Sequence, residues 1–95
     1  MLSRIPIDLS KVDKKNIDRE ILRAAVMAEL DAINLYEQMA ALADDKNLKT
    51  LLLDIAREEK THVGEFQALL LMHDKELEEE MEAGREEVEE LLENS

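Results

Sequence analysis

Ala56-Arg57-Glu58-Glu59-Lys60-Thr61-His62 places an acid and an imidazole, Glu59 and His62, three residues apart. On a helix, residues at i and i+3 share a face. Heptad stepping through the pair gives Leu48, Leu52, Ile55, Glu59, His62, Phe66 and Leu69. Five of these seven are apolar, so the face is expected to be buried, with two polar groups at its middle. Such groups in an apolar seam cost several kcal/mol (about 2–7) unless something pairs with them. A metal ion is the economical partner.

The preceding segment carries a matching anomaly. Its seam reads Leu22, Ala25, Glu29, Ala32, Tyr36 and Met39, again with one acid in a core slot. The turn between the two helices is expected at Asp44-Asp45-Lys46-Asn47, with one of its Asp or Asn residues capping the second helix. Glu29 lies 16 residues before Asp45, and Glu59 and His62 lie 14 and 17 after it. At ~1.5 Å per residue all three stand roughly 21–26 Å from the turn. An antiparallel hairpin therefore brings them to one level.

The rest of the chain frames that hairpin. Its 95 residues make one small domain. No cysteine is present, which excludes disulfides and thiolate metal sites. Aromatic residues are 2% of the chain, and 2 Gly and 1 Pro interrupt an Ala-, Glu- and Leu-rich sequence suited to long helices. No apolar run reaches the ~20 residues that cross a bilayer, and no signal peptide is recognisable. The expected location is cytoplasmic, without a membrane partner. A net charge of -12 argues against nucleic acid. That charge is concentrated in residues 74–95, which hold 11 acids and 2 bases.

The expected organisation is an N-terminal arm (1–17), a helical hairpin (18–73) and an acidic C-terminal helix or tail (74–95). In the arm, Ile5, Ile7 and Leu9 alternate as in an extended strand around Pro6. Asn16 or Asp18 is expected to cap helix 1, which should run from about Asp18 to Ala43. Helix 2 is expected from Leu48 to Met72, with Gly64 reserved for close packing against a neighbouring helix and His73 at its C-terminus. A second apolar stripe in helix 1 (Val26, Leu30, Ile33) widens the buried face. Leu77, Met81, Val88, Leu91 and Leu92 stripe a short third helix interrupted by Gly84. Two helices cannot bury both stripes alone, so self-association into a four-helix bundle is expected.

Di-iron and di-manganese carboxylate bundles take one Glu from each of two helices and Glu-x-x-His from each of the other two. This chain supplies half of that set: Glu29, and Glu59 with His62. A two-fold axis through the site completes it, giving four carboxylates and two imidazoles suited to iron or manganese. Glu-x-x-His alone is weak and commonly a solvated pair; its level with Glu29 is what favours the metal. Glu58 is read as a surface acid. Tyr36 is equally compatible with core packing and with a hydroxyl donated to a ligand carboxylate.

Ala28-Glu29-Leu30-Asp31-Ala32-Ile33-Asn34-Leu35-Tyr36 and Arg57-Glu58-Glu59-Lys60-Thr61-His62 resemble the encapsulated ferritins. These are two-helix ferritin-like proteins housed in, or fused to, encapsulin shells. The resemblance spans about residues 18–73. It implies an all-α hairpin completing a ferritin-like four-helix bundle by dimerisation. It also implies ferroxidase ligands at Glu29, Glu59 and His62, with Tyr36 close to the metals. The implied iron centre is a di-iron site shared between two subunits of a homodimer. Such dimers are expected to form a ring, five dimers in all, inside an encapsulin nanocompartment. Two departures stand out. Some relatives carry an acid immediately before the first ligand, where this chain has Ala28, so an entry site with Asp31 is at best partial. The tail ends in Glu89-Glu90-Leu91-Leu92-Glu93-Asn94-Ser95, unlike an apolar targeting peptide. Fusion to a shell protein and another mode of address both remain open. The rival readings are a structural oligomerisation or cargo module and a rubrerythrin-like peroxide scavenger.

Overall fold

The computed structural model describes residues 8–11 and 13–94. Two 3₁₀ turns, Leu9–Lys11 and Lys14–Asn16, lead into α1 (Ile17–Leu42), α2 (Lys46–His73) and α3 (Lys75–Glu93). No strand occurs among the described residues. The expected extended arm is not found where it can be tested, because Leu9 lies in a 3₁₀ turn. Asp8 shapes that turn, accepting from the Ser10 N–H at 3.1 Å and the Ser10 hydroxyl at 2.6 Å. Ile5, Pro6 and Ile7 lie outside the described residues.

α1 has no Gly or Pro, and Asp18 and Glu20 in its first turn complement the helix dipole. Asn16 occupies the cap position, but its side chain makes no capping hydrogen bond. The 3₁₀ turn ahead of it already supplies a bond there, from the Asn16 N–H to the Asp13 carbonyl at 2.9 Å. α1 stops where Ala43 turns extended. Asp45 then caps α2, its carboxylate accepting from the Leu48 N–H at 2.8 Å. α1 and α2 form an antiparallel hairpin, tied on one side by Lys60 and Glu37 at 3.0 Å.

Among the described residues the buried apolar ones are Leu22, Ile33, Ala40, Ala56 and Leu70. They mark one narrow strip along each helix, as two helices alone permit. The heptad seam read from the sequence is rotated away from that strip. Leu48 and Leu69 remain 46% and 47% exposed, and Ile21 on α1 is 44% exposed. With 3.6 residues per turn, Leu48, Ile55, Glu59, His62, Phe66 and Leu69 lie roughly 60–140° round α2 from Ala56. They form the flank of the hairpin, and α1 extends the same flank with Ile21, Ala25, Ala32 and Met39. The seam is thus a half-open face of the single chain.

α3 is longer than expected. It runs 19 residues straight through Gly84. Ion pairs offset the glycine: Lys75 with Glu78, and Arg85 with both Glu82 and Glu89. Asp74 makes the corner between α2 and α3. Its backbone leaves the helical region, and its carboxylate caps α3 at the Leu77 N–H, 3.1 Å away. The same carboxylate accepts from Arg23 of α1 at 2.6 Å. The Arg23 guanidinium, helped by the Leu77 N–H, holds the Asp74 carboxyl below the usual carboxylate range. The overall extents of 46, 45 and 20 Å describe a flat elbow, with α3 pointing away from the hairpin. Gly64 does not serve close packing within the chain, since a Cβ there would meet nothing within 4 Å.

Candidate metal centre

The hairpin carries Glu29 on α1 and Glu59 and His62 on α2 to one level, as equal distances from the turn require. One ligand atom from each lies within 4.8 Å of the other two. His62 Nδ1 stands 3.5 Å from Glu29 Oε2 and 3.5 Å from Glu59 Oε2. Those separations exceed an ordinary N–H···O hydrogen bond. Glu29 Oε2 is buried and has no hydrogen-bond partner. An orphaned carboxylate oxygen is costly, and a cation would relieve it.

The surrounding charges do not supply that cation. Among the described residues no Lys or Arg forms an ion pair with Glu29 or Glu59. Lys60 is turned to Glu37 on the opposite flank. Arg57 is held by Asp54 at 2.8 Å, and that bond keeps the Asp54 carboxyl below its usual range. The site is therefore acidic and short of positive charge. Two carboxylates and one imidazole form a hard, oxygen-rich donor set that fits iron or manganese.

Exposure shows how the site is oriented. The Glu29 and Glu59 side chains are 20% and 18% exposed, and His62 is 46% exposed. The three groups thus sit at the hairpin surface, at the centre of the flank that carries Ile21, Ile55, Phe66 and Leu69. Tyr36 is half-buried on the same flank of α1, two turns beyond Glu29. Asp31 lies about 200° round α1 from Glu29 and does not join the group. Sequence reasoning missed the Arg23–Asp74 pair, whose members are 51 residues apart and carry no local signature.

An all-helical hairpin with a carboxylate and a Glu-x-x-His pair at one level is a ferritin-like fold. The sequence pattern of the EncFtn-like family matches residues 6–84. The chain belongs to the EncFtn-like family. It is 64% identical over 72 residues to a ferritin-like-encapsulin shell fusion protein of Pyrococcus furiosus, covering 76% of this chain and 21% of that protein. The chain thus spans about a fifth of the length of this relative. It also resembles the crystal structure of the encapsulated ferritin domain from Pyrococcus furiosus. That match has a TM-score of 0.80 and 56% identity, and covers 96% of this chain and 95% of that one.

Proposed function

We propose that the chain is a ferroxidase whose di-iron site is completed by a second copy. The supporting observation is the orphaned Glu29 oxygen beside Glu59 and His62, at the centre of an apolar flank that the single chain leaves open. Pairing two such flanks about a two-fold axis buries Ile21, Leu48 and Leu69 and brings together two sets of three ligands. Glu29, Glu59 and His62 of both copies would hold the two ions, the carboxylates supplying anionic oxygens and His62 a ring nitrogen. Tyr36 closes one end of the site and donates its hydroxyl to a ligand carboxylate.

Iron is the substrate in this reading. Two Fe(II) ions lose one electron each, and dioxygen takes both electrons together with two protons. The carboxylates favour the more highly charged product because each contributes a hard anionic oxygen. An open hairpin has no cavity for a mineral, so Fe(III) is stored elsewhere. The shell fusion named for the relative supports storage inside an encapsulin compartment. We further propose a cytoplasmic location and a ring of dimers.

His62→Ala and Glu59→Ala test the assignment. Both are expected to lose rapid oxidation of Fe(II) by dioxygen while retaining helical content. Parent-like rates in both would exclude the site. Turnover of hydrogen peroxide in preference to dioxygen would favour a peroxide scavenger instead.

A further inference from the structure

The corner at Asp74 has no local cause in the sequence. From Glu65 to Ala83 the chain contains no Gly, Pro or β-branched residue, the types that most weaken a helix. The apolar heptad also runs through the corner without a change of phase. Val63, Leu70, Leu77 and Leu91 stand at multiples of seven, and Met81 and Val88 fall four residues past that register. A break also leaves the last carbonyls of α2 and the first N–H groups of α3 without helical partners. Local preference therefore favours one rod from Lys46 to Glu93. The chain instead bends at a single residue, Asp74, with φ of -140° and ψ of 84°.

Packing does not impose the bend either. α3 buries none of its own residues, so its direction rests on the corner. Asp74 is 8% exposed, and it is the one buried polar residue among those described. Its carboxylate does two jobs. Oδ1 accepts from the Leu77 N–H at 3.1 Å, and Oδ2 accepts from the Arg23 guanidinium at 2.6 Å. In a continuous helix the Leu77 N–H bonds the His73 carbonyl instead. The cap and the rod thus compete for one donor and exclude each other.

Arg23 is the member of this arrangement that comes from outside the corner. It lies on α1, six residues or about 9 Å before Glu29. Its other partner, Glu20, stands farther off at 3.9 Å. A buried ion pair adds little net stability, and its best-attested use is to select one arrangement over another. A cavity of 440 Å³, with Arg19, Leu77 and Glu80 among its walls, opens beside the pair and leaves room for Asp74 to part from Arg23.

We propose that the Arg23–Asp74 pair is a latch on a two-state hinge. Latched, α2 and α3 meet at the elbow. Released, Asp74 joins the helix, and α2 and α3 become one rod over Lys46–Glu93. The end of α3 then lies roughly 28 Å beyond the open end of the hairpin, along the α2 axis. The helix that carries Glu29 thus sets the direction of α3, and neither state requires iron. Elbow and rod present different shapes to other copies, so the latch decides which shape is available for assembly.

The native chain has no cysteine, so nitroxides on Thr50→Cys and Glu90→Cys mark α2 and α3 alone. Both positions are exposed. Pulsed electron resonance reads their separation in chelator, with labelled chains diluted in unlabelled chains of the same variant. Along one rod the two sites stand ~60 Å apart, and an elbow with arms of ~35 and ~24 Å must give less. The parent is expected to show a single shorter distance. Asp74→Ala removes latch and cap together and should move the main peak to ~60 Å, with helical content by circular dichroism no lower than the parent's. Arg23→Gln removes the latch alone and should show both peaks, whereas Arg23→Lys, which keeps the charge, should restore the short one. Parent-like distances in both Asp74→Ala and Arg23→Gln would overturn the latch. A broad distribution without a peak near ~60 Å, or a loss of helix in Asp74→Ala, would overturn the rod.

Discussion

Replacing Glu29 with Gln should leave the iron-free protein at least as stable as the parent while weakening iron binding by about 100-fold or more. Gln keeps the shape and removes one charge per chain from a site that lacks a cation. In the parent, Glu29 and Glu59 present ligand oxygens within 4.8 Å of each other. At an effective dielectric constant of ~20, two unit charges at that distance repel by roughly 3.5 kcal/mol. Solvent reaches the site through its open side and screens part of this, so a net gain of about 1–2 kcal/mol is expected. For a domain of this size each kcal/mol moves the melting temperature by ~4–8 °C. The iron term has the opposite sign. Altering groups that merely support metal ligands costs about 10–100-fold in affinity, and Glu29 is assigned as a ligand itself. Thermal melts in chelator and Fe(II) titrations under anaerobic conditions measure the two effects separately. A variant that melts several degrees lower yet binds iron as tightly as the parent would refute the reasoning. It would mean that the Glu29 carboxylate stabilises the hairpin as an ordinary structural acid.

Three further outcomes follow from the geometry. Iron should favour the ligand-face dimer, because bound metal stabilises whichever state completes its shell; analytical centrifugation that finds the same species with Fe(II) and with chelator would contradict this. Asp74 has a lowered folded-state pKa, so its contribution is present above the ordinary carboxylate pKa of ~3.9 and is lost as pH falls through the lower folded value. Spin-label distances between α1 and α3 should therefore broaden only in that acidic window, whereas Asp74→Asn should broaden them at neutral pH. Gly84→Ala should stabilise α3 by ~0.5–1 kcal/mol, since its Cβ would meet nothing within 4 Å; a lower helix melting temperature by circular dichroism would count against a continuous α3.

Much of the site was legible because it depends on rise per residue and on periodicity. The level of Glu29, Glu59 and His62 follows from counting to the turn, and the structure places them within reach of one another. The strip that the hairpin itself buries was harder to read. Leu22, Ile33, Ala40, Ala56 and Leu70 lie beside the heptad seam, and both lines are apolar at helical spacing. Sequence periodicity cannot separate a face buried within the chain from a neighbouring face left for a partner. Gly84 misled for a local reason: its intrinsic penalty is small, about 1 kcal/mol, and the flanking Arg85 pairs offset it. The elbow was invisible because Asp74 closes it with Arg23, a partner remote in sequence.

The most direct test of the central claim is an anomalous difference map at the iron edge from crystals grown with Fe(II). The account predicts iron between two chains, bound by Glu29, Glu59 and His62 of one copy and by the same three residues of its partner. Iron held elsewhere, or no iron at these three residues in crystals that retain it in solution, would contradict it.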